Sequence, residues 1–470
     1  MPTQCTQEFL EFHPLEQREV RGGFDGGVIT SDAGGLLLRE VEKRTGIIRQ
    51  FAACFQDQRK AERIEHGVEE LVAQRVYGLA LGYEDLNDHD QLRRDPRLGV
   101  LAGKADPSGQ SRARRRDQGK ALAGKSTLNR LELTAAEVKE KERYKKITLD
   151  FTAVDKLLAD LFLQAHGEPP KQIILDLDST DDPLHGNQEG RFFHGYYGHY
   201  CYLPLYIFCG EHLLCARLRT ADGDGAAGSV EELARLVQQI RQAWPEVGIV
   251  VRGDCGFCRE ELMAWCEANA VDYVLGLAKN DRLRAEIAAE LAQASEQYQQ
   301  TGQAARIFKE FRYQTRESWE RTRRVVAKAE HLEKGSNPRF VVTSLPSQEW
   351  AAQALYEGLY CARGEMENRI KEQLMLFADR TSTAYLRSNQ IRLYFSSLAY
   401  SLMQALRRLG LQGTEWAQAQ CTSVRLKLLK IGALIRITVR KVWVSMATGY
   451  PYAERFRQIY AQLQAVPLRA

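Results

Sequence analysis

Four aspartates lie close together in the stretch LDLDSTDDPLHGNQEG, which spans residues 175–190. Asp176, Asp178, Asp181 and Asp182 follow an apolar run and stand at the end of a predicted buried strand. Like charges gathered at one strand end repel each other unless a cation neutralises them. The spacing therefore indicates a divalent metal site, and the first two aspartates share a face because side chains alternate along a strand.

Two further carboxylates stand where such a site needs them. Asp254 ends the strand that follows the first predicted helix of this region, and Glu367 lies on a later helix. In an open sheet the ends of neighbouring strands meet, so Asp178 and Asp254 can be adjacent although they are far apart in sequence. A single aspartate at a strand end is usually a helix cap, but three carboxylates on these elements favour a ligand set. Asp176 is the alternative first ligand, or a carboxylate that supports the ligands.

Ligand sets made only of oxygen are typical of Mg²⁺ or Mn²⁺, which bind carboxylates, water and substrate phosphates. Two such ions about 3.5–4 Å apart can activate a water molecule and stabilise the leaving oxygen of an in-line phosphodiester displacement. The expected cofactor is therefore a pair of Mg²⁺ or Mn²⁺ ions, held by Asp178, Asp254 and Glu367. Phosphodiester cleavage is the reaction that this ligand set predicts.

The hydrophobic periodicity around these acids predicts an α/β protein with a mixed sheet. From residue 171 the order is β-β-β-α-β-α-β, a hairpin unit followed by right-handed crossovers. After Leu277 the alternation stops for about ninety residues, a length that requires structure of its own. The predicted regions are a helical N-terminal region at 1–165, a first core part at 166–284, a β-rich insertion at 285–345, a second core part that carries Glu367 at 346–410, and a basic helical C-terminal region at 411–470.

The composition is that of a globular protein with two or three domains: 470 residues, 44% of them hydrophobic and 27% charged. A net charge of +4 is too small to indicate a nucleic-acid partner, but basic segments at 112–146 and 421–457 flank the acidic centre. This distribution suits a polyanion, although solvated helix faces would give the same pattern. We see neither a signal peptide nor an apolar run of membrane-spanning length, and the ten scattered cysteines favour a reducing cytoplasm.

Several stretches resemble the DDE transposases of bacterial insertion sequences. They are LDLDST at 175–180, VRGDCGF at 251–257 and YCARGEMENRIKE at 360–372, with further similarity in TLNRLE at 127–132 and DRTSTAYLRSNQIRLYFSSLAYSL at 379–402. The resemblance therefore extends over most of the chain. It implies an RNase H-like catalytic core interrupted by the β-rich insertion and flanked by the helical terminal regions. The helical region at 1–165 would then bind DNA, and the basic region at 411–470 is a second candidate for recognising the element's ends.

The resemblance assigns roles to individual residues. Asp178, Asp254 and Glu367 would be the catalytic triad. Tyr360, Arg363 and Glu367 keep the spacing of the Tyr–Arg–Glu signature in insertion-sequence family 1380, which implies that the first two contact DNA phosphates near the cut. The implied activity is cut-and-paste transposition. In it, hydrolysis at an element's end frees a 3′-hydroxyl that attacks the opposite strand to form a hairpin, which is reopened before insertion into target DNA.

The resemblance also implies DNA contacts outside the triad. The lysine that the broader signature places seven residues after the glutamate is Leu374 here, and Lys371 is the nearest substitute. In relatives the insertion helps to hold DNA ends, and Trp319 is the candidate for stacking on a flipped base, with a packed or surface tryptophan as the alternative. The implied partners are double-stranded DNA with terminal inverted repeats and target DNA, bound by a homodimer that lies on the nucleoid of a bacterial cytoplasm.

One local pattern suggests other chemistry. GKALAGKS at 119–126 satisfies the phosphate-loop pattern, which would make the protein an ATPase that uses Lys125 and Asp176. A phosphate loop must leave a buried strand, and the residues before this one are polar and basic. We expect instead a helical arm, with Lys120, Lys125 and Arg130 as candidate DNA contacts.

Two more alternatives assume the same RNase H-like core but no transposition. A stand-alone metal-dependent nuclease of RNase H-like fold would use the same carboxylates without requiring a specific repeat. A transposase remnant would bind the ends without cutting them. That all three acidic positions are filled argues against the remnant.

Overall fold

The structure is a computed structural model that describes residues 9–138 and 144–469. The first five residues of the basic stretch KEKERYKK, 139–143, lie outside the described residues. The chain divides into two compact units, and both are built from separate stretches. Unit 1 comprises Met1–Ala52, Arg59–Leu131 and Ala405–Ala470, and unit 2 comprises Ala53–Gln58 and Glu132–Gln404.

Helices and strands both occur throughout the described chain. The α-helices are α1 (Leu36–Thr45), α2 (Ile47–Ala52), α3 (Val68–Leu81), α4 (His89–Leu92), α5 (Pro96–Leu101), α6 (Lys125–Glu132), α7 (Phe151–Gln164), α8 (Ser229–Ala243), α9 (Glu260–Ala268), α10 (Asp281–Glu286), α11 (Ala288–Thr301), α12 (Gly364–Met375), α13 (Leu386–Gly410), α14 (Cys421–Val424) and α15 (Ala453–Ala465). The strands are β1 (Leu10–Leu15), β2 (Arg18–Gly22), β3 (Ile29–Thr30), β4 (Phe55–Asp57), β5 (Ile147–Leu149), β6 (Gln172–Ser179), β7 (Asp182–Pro183), β8 (Phe192–His194), β9 (His199–Tyr202), β10 (Leu205–Cys209), β11 (His212–Arg217), β12 (Gly248–Gly253), β13 (Asp272–Leu277), β14 (Ala305–Tyr313), β15 (Arg323–Leu332), β16 (Gly335–Ser336), β17 (Arg339–Thr343), β18 (Ala433–Ile437) and β19 (Val442–Met446).

A large mixed sheet forms the centre of unit 2. Its strand order is β11-β10-β6-β12-β13-β17-β15-β14, with β16 paired to β15. The three central strands β6, β12 and β13 run parallel, whereas the pairs on either side of them are antiparallel. This arrangement confirms the predicted α/β fold class with a mixed sheet.

Both faces of the sheet are covered, which explains why β6 begins as an uninterrupted apolar run. On one face Leu175 and Leu177 belong to a core that includes residues of α7, α8 and α9. On the other face Ile174 packs beside Val250 and Val274, under Leu355 and other residues of a π-helical turn at Ala354–Tyr360. Strand β6 thus carries its aspartates on the face that this turn covers.

The region expected as an insertion does not form a sheet of its own. Helices α10 and α11 open it, and β17 then pairs with β13, so that β17, β15 and β14 extend the central sheet. Without these strands β13 would be an open edge with unpaired backbone groups. The strands of this segment therefore extend the central sheet of unit 2.

The terminal regions contain strands where only helices were expected. Strands β1 and β2 form a hairpin near the N-terminus, and β18 pairs with both β19 and β3. Residues 433–446 read ALIRITVRKVWVSM, in which small or apolar residues recur at every second position of each strand. That period of two is typical of a half-buried strand, and the prediction of helix there was wrong.

Unit 1 is joined by a buried ionic cluster around Asp32, whose side chain is 1% exposed. Its carboxylate pairs with Arg97 at 2.9 Å and with Lys430 at 2.6 Å, and it accepts a hydrogen bond from the Tyr83 hydroxyl at 2.6 Å. Asp32 and these partners together come from all three stretches of unit 1. The cluster therefore ties the beginning of the chain to its end.

No helix among the described residues is both long and apolar enough to cross a membrane.

Strands β6 and β12 are joined by a buried ion pair as well as by their backbones. Arg252 contacts both carboxylate oxygens of Asp176, at 2.5 and 2.8 Å, and both side chains are 7% exposed. The remaining guanidinium nitrogen donates to the carbonyl of Leu359 at 2.5 Å. The pair thus holds the π-helical turn onto the sheet.

We predict that Arg252→Met lowers the free energy of unfolding by about 3–5 kcal/mol, because it leaves Asp176 buried without a counter-charge. Urea unfolding followed by circular dichroism would measure the change. The double variant Asp176→Leu/Arg252→Met buries no charge and should be more stable than the single variant. A single variant as stable as the wild type would contradict the structural role of the pair.

Candidate active site

The register between β6 and β12 brings two aspartates to the same edge of the sheet. Arg252 lies opposite Asp176 and Gly253 opposite Leu177 in this parallel pair. Asp178 is the next residue of β6 and Asp254 directly follows β12, so both lie at the same edge of the sheet. Since neighbouring strands lie about 4.8 Å apart, these two carboxylates belong to one site.

Asp254 also caps the turn that follows β12. Its Oδ1 accepts a hydrogen bond from the Gly256 amide at 2.8 Å, at the start of a 3₁₀ turn over Cys255–Phe257. This contact fixes the orientation of the carboxylate at the strand end. The cap interpretation and the ligand interpretation of Asp254 therefore coexist, because a capping carboxylate still has a second oxygen.

Arg363 lies between the other two carboxylates of the predicted triad. Its guanidinium is 3.4 Å from Oδ2 of Asp178 and 3.7 Å from Oε1 of Glu367, which lies one turn further along the same helical segment. The Arg363 side chain is 17% exposed, whereas that of Glu367 is 55% exposed. Arg363 thus supplies a positive charge to the predicted metal site and links Glu367 to Asp178.

The electrostatics of Asp178 and Arg363 follow from this placement. Burial raises the pKa of Asp178 to about 6, Arg363 opposes the increase, and Asp254 and Glu367 add to it. Burial alone would lower the pKa of Arg363, but the surrounding carboxylates outweigh that effect and raise it. Arg363 is therefore charged, and the Asp178 carboxyl changes its ionisation state near pH 6.

The donor chemistry of Asp178, Asp254 and Glu367 fits Mg²⁺ or Mn²⁺, since all three offer carboxylate oxygens on one side of the sheet. Within the described residues, however, no three side chains of His, Cys, Asp or Glu are arranged closely enough to hold a metal ion. Arg363 forms ion pairs with two of the three carboxylates. The structure therefore shows two of these carboxylates, Asp178 and Glu367, paired with an arginine.

Tyr360 approaches the same site from the end of the π-helical turn. A Cβ on Gly276 in β13 would lie 2.5 Å from the Tyr360 hydroxyl oxygen and 2.9 Å from the Cys255 amide nitrogen. Only glycine therefore allows the tyrosine and the backbone after Asp254 to meet over β13. Sequence reasoning missed Gly276, although a glycine inside a predicted strand is the usual sign of such a close approach.

A cavity of about 530 Å³ opens beside these residues. Its lining combines Asp254, Tyr360 and Arg363 with two further cations, Lys279 and Arg339. Among the described residues neither Lys279 nor Arg339 forms an ion pair with a carboxylate. The cavity thus offers positive charge next to the acidic edge, as a phosphate-bearing substrate requires.

Asp176, the alternative first ligand, lies on the same face of β6 as Asp178. Both of its oxygens contact Arg252. Asp178 has the more open position, nearer to Asp254 and Glu367, and is the better candidate. The signal for this arrangement was present in the sequence, because Arg252 is a charged residue inside an otherwise apolar strand.

Two predicted DNA contacts of unit 2 differ in accessibility. Lys371 is exposed on α12, one turn after Glu367, and Leu374 beside it is 37% exposed. Trp319 is only 6% exposed and packs edge-on against Tyr313, with the Arg323 guanidinium over its ring. Trp319 therefore belongs to the core and does not offer a free face on which a flipped base could stack.

The remaining candidates, Lys120, Lys125 and Arg130, belong to unit 1 and not to the unit that holds the carboxylates. The Lys125 ammonium contacts Asn87 at 2.9 Å, and Lys120 donates to a backbone carbonyl. A 3₁₀ turn precedes the GKALAGKS segment where a phosphate loop would need a strand. The ATPase interpretation therefore has no structural basis.

We predict that Mn²⁺ binding weakens as the pH falls through about 6, because protonation of Asp178 competes with the cation. The pKa of Asp178 is raised, so the carboxylate is ionised above this pH and neutral below it. Electron paramagnetic resonance of free Mn²⁺ would measure the affinity across the range. Asp178→Asn should bind weakly without a step near that pH, and a flat profile for the wild type would contradict the assignment.

Comparison with known proteins assigns the chain to a family. The family model Transposase DDE domain group 1 matches residues 12–468. No curated protein matches the chain. Among solved structures, the cryo-electron microscopy structure of a piggyBac transposase synaptic complex with hairpin DNA is 13% identical with a TM-score of 0.40, covering 85% of this chain and 80% of that chain. Because the family model spans nearly the whole sequence, this chain belongs to the DDE transposases of domain group 1.

Proposed function

We propose that this transposase cuts the ends of its own element with Asp178, Asp254 and Glu367 and joins them to target DNA. One observation carries the assignment of the triad. The parallel register of β6 and β12 puts Asp178 and Asp254 at one sheet edge, and Arg363 links Glu367 to the first of them. The reaction is a cut-and-paste transposition, with terminal inverted repeats as the substrate and a homodimer pairing two ends.

The chain's own residues position the substrate. DDE transposases generally use divalent metal ions. Bound to the triad, Mg²⁺ or Mn²⁺ would lower the pKa of the attacking water and neutralise charge on the phosphate. Arg363, freed from the carboxylates, would contact a phosphate beside the cut, together with Tyr360 and with Lys371 from the exposed side of α12.

The proposed order of steps is the one that the resemblance to insertion-sequence transposases implies. Hydrolysis of one strand leaves a 3′-hydroxyl at the element's end, held beside the same carboxylates. That hydroxyl then attacks the opposite strand, which gives a hairpin end that is reopened before strand transfer. No covalent bond to the protein is needed, so preorganised charge carries the catalysis.

We predict that wild-type protein nicks a duplex carrying the coding element's terminal inverted repeats in Mg²⁺ but not in EDTA. Asp178→Asn, Asp254→Asn and Glu367→Gln should each reduce cleavage below about one hundredth, since each removes a ligand of the reacting centre. Denaturing gels would resolve nicked and hairpin products.

The outcomes separate the alternatives. Activity lost in Asp176→Asn but kept in Asp178→Asn, with both variants folded, would move the first ligand by two residues. Cutting of any duplex regardless of its ends would favour a stand-alone nuclease. Tight binding of the ends with no cleavage in Mg²⁺ or Mn²⁺ would favour the transposase remnant that binds the ends without cutting them.

We also predict that Gly276→Ala reduces cleavage roughly tenfold or more, because the added methyl displaces Tyr360 or the backbone after Asp254. The matched control is Gly358→Ala, where a Cβ meets nothing within 4 Å. Single-turnover cleavage at saturating protein would isolate the effect on the reaction from that on binding. Equal rates for the two variants would contradict the role of Gly276.

A further inference from the structure

A hairpin in unit 1, formed by β18 and β19, projects a charged end from the protein. On its inner face Ala433 and Ile435 are buried, and Val444 and Met446 are partly buried against the same core. Beyond that base every residue of the connecting turn 438–441 is exposed, and Val439 at its tip is fully exposed. The hairpin is therefore anchored at its base and free at its end.

The free end carries cations that no carboxylate neutralises. Arg436, Arg440 and Lys441 are exposed and form no ion pair with any described residue. Arg436 and Lys441 instead lie over the ring of Trp443, at 5.9 and 5.3 Å from its centroid. Trp443 is 47% exposed, so this cationic and aromatic surface faces solvent.

Several other exposed cations of this chain do form ion pairs with carboxylates, unlike those of the hairpin. On α15 Arg455 pairs with Glu415 at 3.3 Å, and Arg457 pairs with Glu454. In unit 2 Lys156 pairs with Asp160 at 2.7 Å. The hairpin thus concentrates three positive charges whose mutual repulsion a bound anion would relieve.

From these contacts we infer that the β18–β19 hairpin is a DNA-binding element whose three cations contact backbone phosphates of a duplex. The inference rests on the proposed function, which makes DNA the substrate. A two-stranded ribbon is narrow enough to enter a groove of DNA, and the exposed apolar tip at Val439 can contact base edges or sugars there. The exposed Leu434 and Trp443 would also suit a protein partner, but three unpaired cations favour a polyanion.

The salt dependence of binding tests this inference without any cleavage. Each lost phosphate contact lowers the slope of log affinity against log salt by about 0.9. We expect Arg436→Gln/Arg440→Gln/Lys441→Gln to bind more weakly than the wild type, with a slope smaller by about 2 to 3. Fluorescence anisotropy would measure both, with the terminal-repeat duplex and an unrelated duplex in EDTA.

A matched control removes the same charge from positions that already have partners. Lys156→Gln/Arg455→Gln/Arg457→Gln changes the net charge equally but should leave the slope close to that of the wild type. A slope lowered equally in both triple variants would show a general charge effect and overturn the inference.

Trp443 offers a local readout. It is the most exposed of the chain's six tryptophans, since Trp244, Trp319 and Trp416 are buried and two others are partly buried. Duplex DNA should therefore protect wild-type fluorescence from acrylamide quenching, and Trp443→Phe should lose most of that protection. Protection that persists in Trp443→Phe would place the DNA elsewhere.

The results distinguish the inference from the proposed function. If the wild type cuts its ends but the hairpin variant keeps its slope, the hairpin inference fails and the transposase assignment stands. If the variant instead changes the oligomeric state seen by light scattering and keeps its DNA affinity, the surface binds protein. Wild type that binds neither duplex would overturn the inference, whereas binding with a reduced slope but no cleavage would support it and count against catalysis.

Discussion

The site depends on the parallel pairing of β6 with β12. Their register determines that Asp178 and Asp254 end side by side, and one step earlier it places Arg252 opposite Asp176. The buried ion pair makes slippage of one strand past the other expensive, because a shift would separate two desolvated charges. Through the carbonyl of Leu359 the same arginine also positions the turn that leads to Tyr360 and Arg363. One pairing thus orients every part of the site.

Charge balance at the edge of the sheet is the second constraint. The negative charges of Asp254 and Glu367 add to the effect of burial on the pKa of Asp178, so these carboxylates repel one another. Arg363 reduces that repulsion, because its guanidinium lies 3.4 Å from Asp178 and 3.7 Å from Glu367. An arginine is suited to this role because its planar guanidinium binds carboxylate and phosphate groups with the same geometry. The ion pairs of Arg363 therefore hold Glu367 close to Asp178.

Much of the central fold could be predicted from the sequence because its signals are local. The apolar run before Asp176 and the β-α-β alternation after it follow directly from periodicity, and the mixed sheet confirms them. The pairing of β13 with β17 is not local, because two helices and three strands separate them along the chain and neither strand's own sequence indicates its partner. The strands at 433–446 were missed because their Lys and Arg residues were interpreted as the solvent-exposed face of a helix. The alternation of apolar and polar residues along each strand would have predicted them correctly. The short distance between Arg363 and Asp178 depends on how the π-helical turn packs on the sheet. No sequence pattern predicts that packing.

Unit 1 is assembled from both ends of the chain, and this has a consequence for synthesis. Nearly all of unit 2 leaves the ribosome before Ala405–Ala470 exists, so its sheet can form while unit 1 still lacks Lys430 as a partner for Asp32. A chain released early would hold the complete set of acids but no hairpin at residues 433–446. In the cell, ordered translation would thus delay the charged hairpin until the carboxylates are already in place.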